Sequence, residues 1–174
     1  MSQFGDVAKT ISLIGMPGAG KSTVGVLLAK MTGLAFRDTD LDIQVHARAS
    51  LQDILDREGY VKLRQLEQEI LLQIPLSQSV ISTGGSVIYS DKVMRRLSAA
   101  GPVVFLAVDF ETLAHRVQST PGRGIASNSD DSFAQIFAER IPLYKQWANV
   151  VIDTSSCTDA DQVVRAIVEQ LKAT

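Results

Sequence analysis

The chain holds one cysteine, Cys157, and two histidines, His46 and His115. A single cysteine cannot close an internal disulfide, and one cysteine with two histidines cannot form the usual cages of structural zinc. A reduced, cytosolic protein is therefore expected. No apolar run approaches the roughly 18 residues needed to cross a bilayer, and residues 1–6 carry no basic flank leading into an apolar segment, so neither membrane insertion nor export is expected. Charge of one sign is not in excess either. Seventeen Lys and Arg oppose nineteen Asp and Glu, a net charge of −2, which excludes a nucleic-acid footprint built on bulk positive charge. An anionic ligand must then be held by local basic clusters. Repeats, low-complexity tracts and linkers are also missing. What is present is 174 residues, 45% hydrophobic and 21% charged, the size and make-up of one globular unit with a buried core.

Short apolar runs alternate with helical patterns. Residues 11–14 read as a buried strand ending in glycines, and Val24, Leu27, Leu28 and Met31 recur at i, i+3, i+4, i+7 in a helix that stops at Gly33. Further strands are expected near 34–36 and at 80–83, 103–106 and 150–152. Helices are expected over 50–74, divided at Gly59, and over 92–100, 112–118, 132–148 and 160–172. Pro142 should kink or break the helix of 132–148 just beyond Arg140. Continuous apolar strands separated by helices imply an α/β fold with a mostly parallel sheet covered on both faces. Residues 119–131, small and polar, read as either a slack surface loop or a lid.

Gly15-Met16-Pro17-Gly18-Ala19-Gly20-Lys21-Ser22 matches G-x-x-x-x-G-K-[ST] and lies between a strand and a helix N-terminus. Glycines let the backbone curl so that successive N–H groups face phosphate oxygens, and the helix that follows adds partial positive charge. Lys21 should reach the β- and γ-phosphates, and the Ser22 hydroxyl should ligate Mg²⁺. A GTPase would also carry N-K-x-D, which is absent.

Ligands of doubly wound sheets collect at the carboxyl ends of the strands, and four features fall there. Asp38 and Asp40 follow the second strand in a stretch expected to be non-helical; one could hold Mg²⁺ through water while the other orients a hydroxyl nucleophile, although either alone suits a helix N-cap. Gly84 and Gly85 follow the third strand and allow close backbone approach. Phe133, Phe137, Tyr144 and Trp147 stand −7, −3, +4 and +7 residues from Arg140, which puts it at the centre of an apolar face, where a charge needs a partner such as a carboxylate. Arg64, with Glu67 placed to orient it, and Arg123, between Gly122 and Gly124, are basic groups that could meet transferring phosphate or an anionic acceptor.

These residues together resemble the shikimate kinase family, small P-loop kinases of the nucleoside-monophosphate-kinase fold. Besides the P-loop, the family's Asp-Thr-Asp is met by Asp38-Thr39-Asp40, and its Gly-Glu-x-x-Phe-Arg-x-x-Glu in part by 59–67. Its triple glycine is met by Gly84-Gly85-Ser86, and its Arg-x-Pro-Leu-Tyr by residues 140–144. Tyr60, Leu63, Ser86 and Gly124 stand where the family pattern has Glu, Phe, Gly and Pro.

The resemblance implies a five-stranded parallel sheet in the order 2-3-1-4-5, a substrate-binding helical segment over about 40–75, a lid over about 119–131, and one domain over 1–174. It implies ATP and Mg²⁺ as cofactors. Gly15, Pro17, Gly18, Ala19, Gly20, Lys21, Ser22 and Thr23 would cradle the nucleotide, with Arg116 against the adenine and Arg123 over the phosphates. Ser22 and Asp38 would serve the metal. Asp40, Arg64, Gly84, Gly85 and Arg140 would hold shikimate, and Lys21, Asp40 and Arg123 would carry the chemistry. A cytoplasmic monomer is expected, with no nucleic-acid or membrane partner. The rival readings are a kinase of another small hydroxy acid such as homoserine or gluconate, a nucleoside-monophosphate kinase, and a nucleotide-binding regulator without catalysis. His46, His115 and Cys157 are assigned no role, and Phe133, Phe137 and Trp147 are read as core.

Overall fold

The computed structural model describes residues 10–119, 125–128 and 131–173. Within them the elements alternate as β1 (Thr10–Ile14), α1 (Lys21–Thr32), β2 (Ala35–Asp38), α2 (Thr39–Ala47), α3 (Leu51–Gln73), β3 (Ser79–Ser82), a 3-10 turn (Val87–Tyr89), α4 (Asp91–Ala100), β4 (Val103–Ala107), α5 (Phe110–Gln118), α6 (Phe133–Trp147), β5 (Val150–Asp153) and α7 (Ala160–Ala173). The strands form one parallel sheet in the order β2-β3-β1-β4-β5, as the resemblance implies.

Every residue of β1 is buried, the polar Thr10 and Ser12 included, because helices cover both faces and leave no solvent side to alternate toward. β1 hydrogen-bonds β3 on one edge and β4 on the other. The chain therefore leaves β1 toward one half of the sheet and returns through α4 to build the other, and a crevice opens at the strands' carboxyl ends. Two close approaches hold this packing. A Cβ on Gly25 of α1 would lie 2.6 Å from the Phe36 ring on β2, and one on Gly101 would collide with the Thr10 carbonyl oxygen.

Two local expectations need amendment. Residues 39–47 are helical rather than extended, because the Asp38 side chain accepts the Asp40 N–H as an N-cap, with Asp40 and Asp42 in the first turn. The helix escapes periodicity because Leu41 and Val45 are 59% and 78% exposed, leaving Ile43 as its buried apolar side chain. Pro142 does not break α6, which runs through to Trp147. Ala138, whose carbonyl loses its amide donor, is exposed, so water can serve that oxygen. The expected division at Gly59 is present: its φ of 79° and ψ of 171° separate two helical halves of α3.

Candidate active site

The sequence from Gly15 to Ser22 forms the turn between β1 and α1 and the first two residues of α1. It closes on itself where the Ala19 N–H donates to the Met16 carbonyl at 3.1 Å. Gly20, at φ 87°, is the N-cap of α1 and supplies no capping side chain, so the first-turn N–H groups of a twelve-residue helix remain available to an anion. Lys21 is 8% exposed and curls back over the turn, donating from Nζ to the Gly15 carbonyl at 2.7 Å and the Met16 carbonyl at 3.0 Å. Ser22 Oγ donates to Asp38 Oδ2 at 2.5 Å and lies 3.4 Å from Ser82 Oγ. Asp38 thus joins two jobs, capping α2 through Oδ1 and meeting Ser22 through Oδ2. From the other side, Arg116 at the end of α5 donates to the Gly18 carbonyl at 3.1 Å.

The turn after β3 is pressed between four elements. The Gly84 N–H donates to Thr39 Oγ1 at 3.2 Å. A Cβ at Gly84 would collide with Glu67 Oε1 and approach Asp40 Oδ1 to 3.0 Å; one at Gly85 would lie 2.9 Å from Pro17 Cδ and 3.1 Å from Arg140 Nη1. Glycine is required here for space rather than for φ. Tyr144 of α6 ties down the same turn, its hydroxyl donating to the Gly85 carbonyl at 2.5 Å. Burial holds that phenol well above its usual range.

Arg140 is fully buried, as its place among aromatic neighbours in α6 predicts. Its Nη2 donates to the Ala126 carbonyl at 2.8 Å, and Nε to the Tyr89 hydroxyl at 3.4 Å. Arg64 of α3 donates to the same Ala126 oxygen from Nε at 3.1 Å and Nη2 at 2.9 Å, with its guanidinium 3.9 Å from the Tyr89 ring centre and 5.0 Å from that of Tyr60. Two guanidinium groups from separate helices converge on one oxygen.

Glu67 does not orient Arg64, contrary to the expectation from their spacing. It is buried, accepts a hydrogen bond from Ser86 Oγ, and has no hydrogen-bond partner for Oε1 among the described residues. Burial pushes its carboxyl up to about 7; the Ser86 hydrogen bond opposes that rise, Asp40 adds to it, and Arg140 and Lys21 oppose it. The sequence does contain the signal: Leu63, Leu66, Glu67, Ile70 and Leu71 share one helical stripe, so Glu67 faces the core. Tyr89 and Ala126 carry no comparable mark.

A cleft of about 290 Å³ unites Lys21, Asp40, Gly84, Gly85 and Arg140 with the P-loop residues Pro17, Gly18, Gly20, Ser22 and Thr23. Arg64 reaches its rim through Ala126. Arg123 lies outside the described residues. His46 and His115 are exposed, Cys157 is half-buried, and Phe133, Phe137 and Trp147 pack against the core, all as expected.

The shikimate kinase family model matches residues 17–172. A shikimate kinase 2 from Salmonella heidelberg is 31% identical over 164 residues, covering 91% of this chain and 90% of the relative. A shikimate kinase from Acinetobacter baumannii, solved with shikimate, superposes with a TM-score of 0.89 at 27% identity, covering 99% of this chain and 98% of that one. The Aquifex aeolicus shikimate kinase gives 0.80 at 29% identity over 94% and 96%. With this match running nearly end to end, through the P-loop, the β3 turn and α6, the chain belongs to the shikimate kinase family.

Proposed function

We propose that the protein transfers the γ-phosphoryl group of ATP to the 3-hydroxyl of shikimate, giving shikimate 3-phosphate and ADP for chorismate and aromatic amino-acid synthesis. The observation that carries the acceptor side is the convergence of Arg64 and Arg140 on the Ala126 oxygen. Two cations that share one neutral carbonyl form a site suited to a carboxylate, which offers two oxygens and a full negative charge in its place. Asp40 lines the same cleft, its Oδ1 3.0 Å from the position a Cβ on Gly84 would take, and P-loop residues line it as well.

The hydroxyl oxygen attacks the γ-phosphorus, the bond to the β,γ-bridging oxygen breaks, and the hydroxyl proton passes to Asp40. Little of this is covalent work for the protein. Its residues position the two reactants and stabilise charge on the transferring group. Lys21, held over the turn by two carbonyls, is placed to exchange them for phosphate oxygens. Ser22 and Asp38 suit Mg²⁺, since their hydroxyl and carboxylate are hard oxygen donors side by side. Among the described residues no cluster of three or more His, Cys, Asp or Glu could cage a metal alone, which fits an ion shared with phosphates. Bound there, Mg²⁺ would neutralise phosphate charge. Arg123 keeps its sequence-based role over the phosphates.

The test is ADP release from Mg-ATP with shikimate, quinate, homoserine, gluconate, CMP and AMP. Saturable release with shikimate alone is expected. Release with another acceptor would relocate the error to the pocket around Arg64 and Ser86, and ATP binding with no release would favour the regulator.

A further inference from the structure

Tyr89 takes no part in the scheme above. It ends the 3-10 turn of Val87–Tyr89, its N–H donating to the Ser86 carbonyl at 3.1 Å, so it is carried by the same stretch of chain that brings Gly84 and Gly85 to the cleft. Its ring is half-buried against the core. The Arg64 guanidinium of α3 lies 3.9 Å from the ring centre and the Arg140 guanidinium of α6 lies 5.5 Å from it. The hydroxyl accepts from Arg140 Nε at 3.4 Å and donates to Oε1 of the exposed Glu139 at 2.7 Å. Burial and the Glu139 hydrogen bond hold this phenol above its usual range, so it stays neutral. The two arginines need such a neighbour. Their Nη2 atoms lie 2.9 and 2.8 Å from the one Ala126 oxygen, a like-charge pair at short range. Among the described residues neither forms an ion pair with a carboxylate. A carboxylate partner would compete for them with the carboxylate of an acceptor, whereas a ring face attracts a cation without neutralising it.

We propose that Tyr89 is a positioning residue for the acceptor: its ring and hydroxyl hold the Arg64 and Arg140 guanidiniums side by side and fully charged, so that they take the acceptor carboxylate as a pair. The proposal rests on the acceptor reading and deepens it, since the recognised group is then a carboxylate met by two preset cations. A tyrosine is fixed by two side-chain torsions, and the Glu139 hydrogen bond anchors its far end. Neither long arginine side chain then has to be ordered when the acceptor arrives. Without the ring, Arg64 would keep the Ala126 carbonyl and the Tyr60 ring, 5.0 Å from its guanidinium, against repulsion from Arg140.

The experiment compares the steady-state kinetics of the wild-type protein with those of Tyr89→Phe, Tyr89→Leu, Arg64→Ala and the Tyr89→Leu/Arg64→Ala double variant. The acceptors are shikimate and its uncharged methyl ester, and thermal midpoints check folding. Tyr89→Leu should raise the KM for shikimate about 10- to 30-fold, with kcat and the KM for ATP each within about threefold of wild type. Tyr89→Phe keeps the ring and should hold the shikimate KM to within about threefold of wild type. On the ester, Tyr89→Leu should lower kcat/KM less than about threefold, because the group that the arginines meet is no longer charged. In the Arg64→Ala background, with the like-charge pair gone, Tyr89→Leu should cost less than about threefold. An unchanged shikimate KM in Tyr89→Leu, an equal loss on acid and ester, or full additivity with Arg64→Ala would overturn the role. A wild type inactive on shikimate but active on another acceptor would instead overturn the acceptor assignment, and this role with it.

Discussion

The two halves of the cleft are assembled differently. The half proposed for the nucleotide is drawn from nine consecutive residues, Gly15 to Thr23, with Asp38 and Arg116 leaning on them. The half proposed for the acceptor is drawn from α2, α3, the β3 turn, residue 126 and α6, five pieces spread along the chain from Asp40 to Arg140. A local turn can be made correct by its own glycines and hydrogen bonds. A site of five pieces depends on each helix being seated to within a few tenths of an ångström, and the buried groups at its seams, Arg140 and Glu67, carry that dependence.

This contrast can be broken by substitutions that should separate the halves. Lys21→Ala removes the group poised over the P-loop carbonyls and should lower kcat on the order of a thousandfold. Shikimate binding measured by calorimetry should persist; its loss would show that the halves are not independent. Arg140→Ala leaves a buried void and one guanidinium where there were two. It should lower kcat/KM for the acceptor roughly a hundredfold, with the KM for ATP nearly constant; unchanged shikimate kinetics would count heavily against the acceptor assignment.

Glu67 gives the comparison a pH axis. Its carboxyl titrates near 7 in the folded protein, above the ordinary value of 4.5, chiefly through burial. The folded state therefore binds more protons than the unfolded one between those values. Its contribution is full below about pH 4.5 and is lost as the pH rises through 7, a change on the order of 3 kcal/mol. Urea unfolding at pH 5 and pH 8.5 should show this fall in the wild type and a flatter profile in Glu67→Gln; equal slopes would place the titration elsewhere. Gly84→Ala forces a methyl against Glu67 and Asp40 and should cost about 1–3 kcal/mol of stability. Acceptor KM should rise more than ATP KM. The smallest effect belongs to Arg116→Ala, which frees the Gly18 carbonyl at an exposed edge. It should raise the KM for ATP a few-fold, with acceptor KM constant to within error.

Legibility followed the same division. The P-loop could be read directly because its chemistry lies in residue types at fixed spacing along one turn. Arg140 was legible because −7, −3, +4 and +7 are helical neighbours, and the apolar company of an arginine marks burial. The extra helix α2 was not, since its apolar residues Leu41 and Val45 face outward and only Ile43 is buried. Glu67 was misassigned for a different reason: spacing puts Arg64 within reach along the helix, whereas burial made the Ser86 hydroxyl the available partner and sent Arg64 to a carbonyl 62 residues away.

The order of residues alone therefore established the α/β alternation, the phosphate turn and the identity of most groups around the cleft, since periodicity and motif spacing are properties of neighbours along the chain. Which groups meet was a matter of packing. The sharing of the Ala126 oxygen by two arginines, the seating of Gly84 and Gly85 between side chains of three helices and the P-loop, and the hydrogen bond from Ser86 to Glu67 all join separate segments of the chain. Their energies depend on burial, and burial exists only once the layers have closed over the sheet.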